Sequence, residues 1–491
     1  MNQPPEPQPK PQEQPDTAPK DADKPRLRVV DAQDDEPAPI GAAAMSELFI
    51  ADTFVARSND AWRYVKELDT WYEWRSDGWY EDKTNKVKGY VADLLRESMH
   101  WTHAWPLSEG HKRQICSSKT ANGVVALAGA NPSVGMPAAV WDTDPMMLGV
   151  PGGVVDLRNG CIRAVKPEDY ITKRCAVAPA AGTPKRWLAH LERVMRGDRE
   201  MVRFMRCFLG YMLTGHVVEH ALVFLYGHGG NGKGVIVETI VRIMGDYGYA
   251  APVDLLMEQK QKGHPVELAM LRGKRAVSCS EPSQGSRWDD GRIRSLTGGD
   301  TITARRMGEN LSSFPPTHKL LIMGNHKPTL RSVDDAIRRR FNIVNFSIQI
   351  PAEEKDIHFA EKLRDEWPQI LNWMIDGCLD WQESGLCRPE SMVAATEEYL
   401  QDEDSFGQFV ADCCDRGPEK FDPVSSVFRA YTDWCELVGE RPMGRKTFRA
   451  VLFETPGVGR KIGTAPECVS GLAVKDGHNK PVAMTKAWDA E

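Results

Sequence analysis

The 491 residues carry a net charge of −7, with 27% charged and 41% hydrophobic side chains, the balance of a soluble globular chain long enough for two or three domains. That acidity excludes a protein coated in nucleic-acid-binding surface but leaves room for a local basic channel. No run approaches the ~18 apolar residues of a membrane helix, no signal-peptide core opens the chain, and the 11 scattered cysteines contain no CxxC, so a cytoplasmic address, reduced thiols and no zinc module are expected.

Residues 1–44 are rich in Pro, Gln and charge and nearly free of aromatics, so they cannot bury enough apolar surface to offset ordering entropy and read as a disordered tail. Residues 45–183 read as an α+β domain. Trp62, Trp71, Trp74 and Trp79 cluster there, and WYEWRSDGWY has the alternation and Asp-Gly turn of a β-hairpin. These tryptophans read as core rather than as a base-stacking platform. Asp82–Ser98 looks helical, and GGVVDLRNGCIRAV reads as a second hairpin turned by Arg158, Asn159 and Gly160.

Residues 184–350 change texture. Arg186–Thr214 has the helical recurrence of Trp187, Leu188, Leu191, Val194 and Met195. The short apolar runs ALVFLY (221–226), RAVSCS (275–280) and KLLIM (319–323) then read as buried parallel strands separated by helices. This predicts an α/β fold whose ligand sits beyond the carboxyl ends of the strands. Residues 351–404 read as a helical extension, and 405–491 as a small separate domain.

Directly after ALVFLY come Gly227, His228, Gly229, Gly230, Asn231, Gly232, Lys233 and Gly234, followed by a helix with Ile236, Ile240 and Ile243 on one face. Strand, glycine loop, lysine and helix N-terminus together cradle a triphosphate: the glycines let backbone N–H groups converge on phosphate oxygens and Lys233 neutralises the outer groups. ATP is the expected ligand, with Mg²⁺. Gly234 stands where a Ser or Thr hydroxyl usually reaches the metal. RAVSCS ends in Glu281, placed to polarise the attacking water or orient the metal, although Ser280 precedes it where a second acid is usual. KLLIM runs into Asn325, whose carboxamide can contact the γ-phosphate or the water. Arg338, Arg339 and Arg340 precede the apolar run FNIVNF, and an arginine inserted into a neighbour's site accelerates hydrolysis by about 10³–10⁵. Between Arg272 and Arg306 the chain carries eight cations, enough to line a channel if several copies form a ring.

The runs RIRSLTGGDTITARRM, FPPTHKLLIMGNHKP and DDAIRRRFNIVNF resemble the helicase core of the phage and poxvirus primase-helicase family, part of superfamily 3 of the AAA+ ATPases. The resemblance covers about Trp62 to Leu472. It implies an AAA+ P-loop core with a parallel sheet, preceded by the family's α+β domain and followed by a helical segment and a winged-helix-like domain, without the primase domain. It implies Lys233 on the phosphates, Glu281 as the acid and metal contact, Asn325 as sensor, Arg339 or Arg340 as trans-acting finger, and Arg294, Arg305 and Arg306 on DNA. The implied protein is an ATP-dependent DNA helicase of a phage or mobile element. It would form a homo-hexameric ring on single-stranded or forked DNA, with a separate primase as a further partner and no membrane. The alternative is an ATP-dependent origin-binding or helicase-loading protein without unwinding activity.

Overall fold

The computed structural model describes residues 46–58, 60–101, 108–259, 265–280, 282, 285–305, 312–330, 333–439, 442–461 and 467–475. The expected tail, Glu281 and Arg306 lie outside these residues. Contacts divide the chain into two units, with the main boundary between Val140 and Trp141.

In the first unit, a helix (Glu47–Arg57) starts where the Ser46 hydroxyl accepts the Phe49 N–H, a side-chain cap. Strands Trp62–Val65, Thr70–Arg75 and Gly78–Glu81 form a three-stranded sheet that includes the expected hairpin. Helices Lys86–Ser98 and Ser118–Ala130 supply Val91, Leu95 and Val124 to a core shared with Phe54, Trp62 and Trp71. The Trp71 ring meets those of Phe54 and Trp62 edge-on, 6.2 and 6.3 Å between centroids. Trp62, Trp71 and Trp79 are therefore buried structural residues.

The second unit begins earlier than the boundary expected at residue 183. Strands Met147–Val150, Gly153–Asp156 and Cys161–Arg163 make an antiparallel sheet whose Leu148, Val150 and Val155 lie in one apolar core with the helices that follow. The helical stretch expected over 186–214 is made of two helices, Lys185–Val194 and Arg199–Leu213, parted by Arg196 and Gly197 in left-handed backbone.

At the centre is a five-stranded, all-parallel sheet: β1 (Leu222–Tyr226), β2 (Gly248–Ala251), β3 (Ala276–Ser280), β4 (Lys319–Gly324) and β5 (Phe341–Asn345), in the order β5-β1-β4-β3-β2. Helix α1 (Lys233–Ile243) connects β1 towards β2. Successive residues of a strand face opposite sides, and both sides are covered. Val223, Leu225, Leu321 and Val344 pack with Ile236, Ile240 and Phe208 on one side. Leu222, Phe224, Ile322 and Ile343 pack with Trp288, Ile293 and Tyr399 on the other. A fully buried sheet needs continuous apolar runs, and ALVFLY and KLLIM supply them.

After the sheet, helix Trp367–Ser384 packs against helix Arg199–Leu213, and helix Glu390–Glu403 packs against β5. The chain then runs helix (Ser405–Cys413), strand (Cys414–Pro423), helix (Val424–Val438), helix (Arg445–Glu454) and strands Gly459–Lys461 and Cys468–Val474. The last strand lies between the other two, over a separate core of Phe406, Phe409, Tyr431, Phe448 and Leu472. All 11 cysteines are free thiols. Among the described residues there is no helix long and apolar enough to cross a membrane and no acidic, His or Cys cluster that could hold a metal ion.

Candidate nucleotide site

β1 delivers the chain to Gly227, whose N–H donates to the Gly324 carbonyl at the end of neighbouring β4 (3.3 Å). The two parallel strands thus end level, and their loops share one edge of the sheet. Gly227 has φ +152°, and a Cβ there would lie 2.3 Å from the Phe346 carbonyl oxygen, so only glycine fits. His228, Gly229 and Gly230 are exposed, while Asn231 is buried. The Asn231 amide donates to the Phe346 carbonyl (3.1 Å), pinning the loop to the segment beyond β5.

Lys233 opens α1 and is only 5% exposed. Its ammonium donates to the carbonyl oxygens of Gly227 (2.5 Å) and His228 (3.2 Å) and to the side-chain oxygens of Asn231 (3.0 Å) and Asn325 (3.2 Å). Lys233 and Asn325, 92 residues apart, therefore meet directly. The exposed glycine backbone, the helix N-terminus and the ammonium suit a polyphosphate. At Gly234 a Cβ would meet nothing within 4 Å, so space does not explain the missing hydroxyl there.

β3 ends at Ser280, paired with Met323 of β4. Glu281 itself is outside the described residues, as is Arg306.

The arginines separate into different roles. Arg338 pairs with Glu397. Arg340 is 6% exposed and donates to the Thr297 hydroxyl (2.9 Å) and the Ala336 carbonyl (2.6 Å). Burial, with Arg339 and Arg294 nearby, holds its pKa below the usual arginine range. Arg339 is exposed. Of the two arginines expected to reach a neighbour, Arg340 is directed into its own chain.

The basic stretch is likewise divided. Arg275 is 4% exposed, donates to the Leu213 and Met147 carbonyls (2.6 and 2.8 Å) and lies over the Tyr247 ring. Lys274 donates to the Asp246 and Gly248 carbonyls, and Arg294 pairs with Asp334 at 2.7 Å. These three cations brace the fold. Strands Ile302–Ala304 and Ser312–Phe314 form an antiparallel hairpin, with Arg305 exposed where the first strand ends.

Sequence reasoning did not single out His190. It lies on the buried face of helix Lys185–Val194, with Nε2 3.3 Å from the Gly232 carbonyl. Burial lowers its pKa, which favours the neutral ring as an N–H donor to that carbonyl. The available signal was its spacing from Trp187 and Val194, the same inward face.

The family model described as "D5 N terminal like" matches residues 49–196. One described as "Family of unknown function (DUF5906)" matches residues 225–340. The Acanthamoeba polyphaga mimivirus protein named "Putative helicase L207/L206" is 25% identical over 415 residues, covering 74% of this chain and 43% of its own length. The Frog virus 3 protein named "Putative helicase 022R" is 22% identical over 405 residues, covering 64% of this chain and 42% of its own. Fowlpox virus "Primase D5" is 28% identical over 145 residues, 28% of this chain and 18% of that protein. These matches make the chain similar to viral proteins of the phage- and poxvirus-type primase-helicase family. The chain spans less than half the length of these relatives. The solved apo structure of the NrS-1 C terminal region superposes with TM-score 0.48 at 12% identity, over 87% of this chain and 99% of that one.

Proposed function

We propose that the chain is an ATP-dependent DNA helicase of a phage or mobile element, with an AAA+ core that hydrolyses ATP at the subunit interfaces of a homo-hexameric ring. The observation that carries this reading is the bond from Lys233 in the glycine loop to Asn325 at the end of the adjacent parallel strand. A loop that only turned the chain would have no need of a buried ammonium aimed at a second strand end.

In this reading Lys233 exchanges its loop carbonyls for phosphate oxygens, and Asn325 senses the terminal phosphate or orients water. Glu281, next after β3, polarises that water. Mg²⁺ entering with ATP would draw charge from the phosphates, and Glu281 is the residue to orient it, since Gly234 offers no hydroxyl. Arg339 reaches the site of the next subunit, where such a cation removes roughly 4–7 kcal/mol from the barrier. Arg305 and Arg306 track the backbone of single-stranded or forked DNA without reading bases. The terminal helix-strand-helix-helix-strand-strand domain suits a winged-helix reading. A separate primase is a candidate partner.

Steady-state ATP hydrolysis with and without forked DNA, run beside strand displacement, tests the proposal. Lys233→Ala is expected to lower turnover by about 10²-fold or more with the fold intact by circular dichroism. Wild-type turnover in that variant would refute the phosphate-loop reading. DNA-stimulated turnover without strand displacement would favour the origin-binding or loading alternative.

A further inference from the structure

We propose that Lys355 is a second cationic nucleotide-binding residue, held over the glycine loop by the segment that follows β5. This deepens the ATP reading of that loop and rests on it. Four contacts fix the segment. The Phe346 N–H donates to the Tyr226 carbonyl at the end of β1 (2.7 Å). The Phe346 carbonyl accepts from the buried Asn231 amide (3.1 Å). The Ile350 N–H donates to the Gly230 carbonyl (3.1 Å). Glu354 pairs with Arg193, which lies one turn beyond His190 on the helix beneath the loop. The chain is thus tied to the loop at positions 226, 230 and 231 before it reaches Lys355.

The Lys355 ammonium then sits 2.9 Å from where a Cβ on Gly230 would be, and its Cε 3.3 Å. Among the described residues this ammonium has no hydrogen bond and no ion pair, whereas the neighbouring Glu354 carboxylate is engaged by Arg193. It lies beside the loop that leads into the positive end of α1 and holds the Lys233 ammonium. A cation placed there is opposed by the helix dipole and by a like charge, so the arrangement favours an anion between them. A lysine on a flexible stem adapts to phosphate as a point charge and needs no fixed fork geometry. Gly230 carries no side chain to separate the ammonium from the loop backbone. The ligand class is a nucleoside di- or triphosphate, and Lys355 adds affinity for its phosphates beyond what Lys233 supplies.

The test is equilibrium binding of a fluorescent ADP, with no turnover required, to the full chain and to Lys355→Gln, Lys355→Arg and Lys233→Ala. Lys355 is exposed, so its replacement should leave the thermal midpoint unchanged. Lys355→Gln is expected to weaken ADP about tenfold and to flatten the salt dependence of binding. Lys355→Arg should retain most of the affinity, which a merely structural role of the side chain would not require. ADP affinity unchanged in Lys355→Gln while Lys233→Ala loses it would overturn the assignment of Lys355 alone. A folded wild-type chain that binds no ADP would overturn the ATP reading together with it.

Discussion

Lys319 begins β4 with its ammonium buried, donating to the Thr214 and His216 carbonyls and lying 4.8 Å from the Tyr211 ring centroid. With Arg275 on Leu213, two buried cations meet the carboxyl end of helix Arg199–Leu213, where the helix dipole is negative. The residue before Lys319, His318, is 1% exposed, and burial with Lys319 beside it pushes its pKa down from 6.5 to about 4. The folded chain therefore holds this ring neutral while the unfolded chain protonates it. Its stabilising contribution is full above 6.5 and is lost as pH falls towards about 4. Going from neutral pH to about 5, this residue should cost about 2 kcal/mol of stability. Urea unfolding of wild type and His318→Phe at the two pH values checks this: the variant should lose less stability by that amount. An identical loss in both proteins would place the acid sensitivity elsewhere.

At the scale of elements, what could be read from the sequence depended on whether an element's reason for forming is local. ALVFLY and KLLIM are strands because a sheet covered on both sides needs unbroken apolar runs, and the run itself says so. Strand β2, Gly248–Ala251, has the sequence GYAA and no such signature; it exists because β3 offers a parallel edge. The glycine loop and Lys233 were legible from spacing. The roles of Arg275, Lys274, Arg294 and Arg340 were not, because their partners lie far along the chain or become partners only after folding. A run of cations in sequence does not distinguish a channel lining from fold-bracing ties. Arg305 is exposed where strand Ile302–Ala304 ends, while Arg294 is tied to Asp334. Arg305→Ala is accordingly expected to weaken single-stranded DNA binding uniformly across sequences. It should also reduce the slope of log affinity against log salt by about one unit. Fluorescence anisotropy with oligonucleotides of different composition over a salt series measures both. A loss confined to certain sequences would mean that Arg305 reads bases.

At the scale of the whole molecule, one chain carries both the glycine loop with Asn325 and an exposed Arg339. Arg340, buried on Thr297 and Ala336, orients the turn that presents Arg339. Removing Arg340 would leave the buried Thr297 hydroxyl and a half-buried carbonyl without their donor, at a cost of about 1–3 kcal/mol, which would confound any test of interface function. Arg339→Ala avoids this, since replacing an exposed side chain usually shifts stability by about 0.5 kcal/mol or less. The central claim, ATP hydrolysis completed across a subunit interface, is tested most directly by mixing Lys233→Ala with Arg339→Ala. Steady-state ATP hydrolysis is measured with DNA present, over a range of ratios and protein concentrations. Each variant alone should be nearly inactive. The mixture should recover activity, because some interfaces then pair an intact loop with an intact arginine. No recovery at any ratio, in mixtures shown to co-assemble, would contradict a trans-acting Arg339 and the ring built on it.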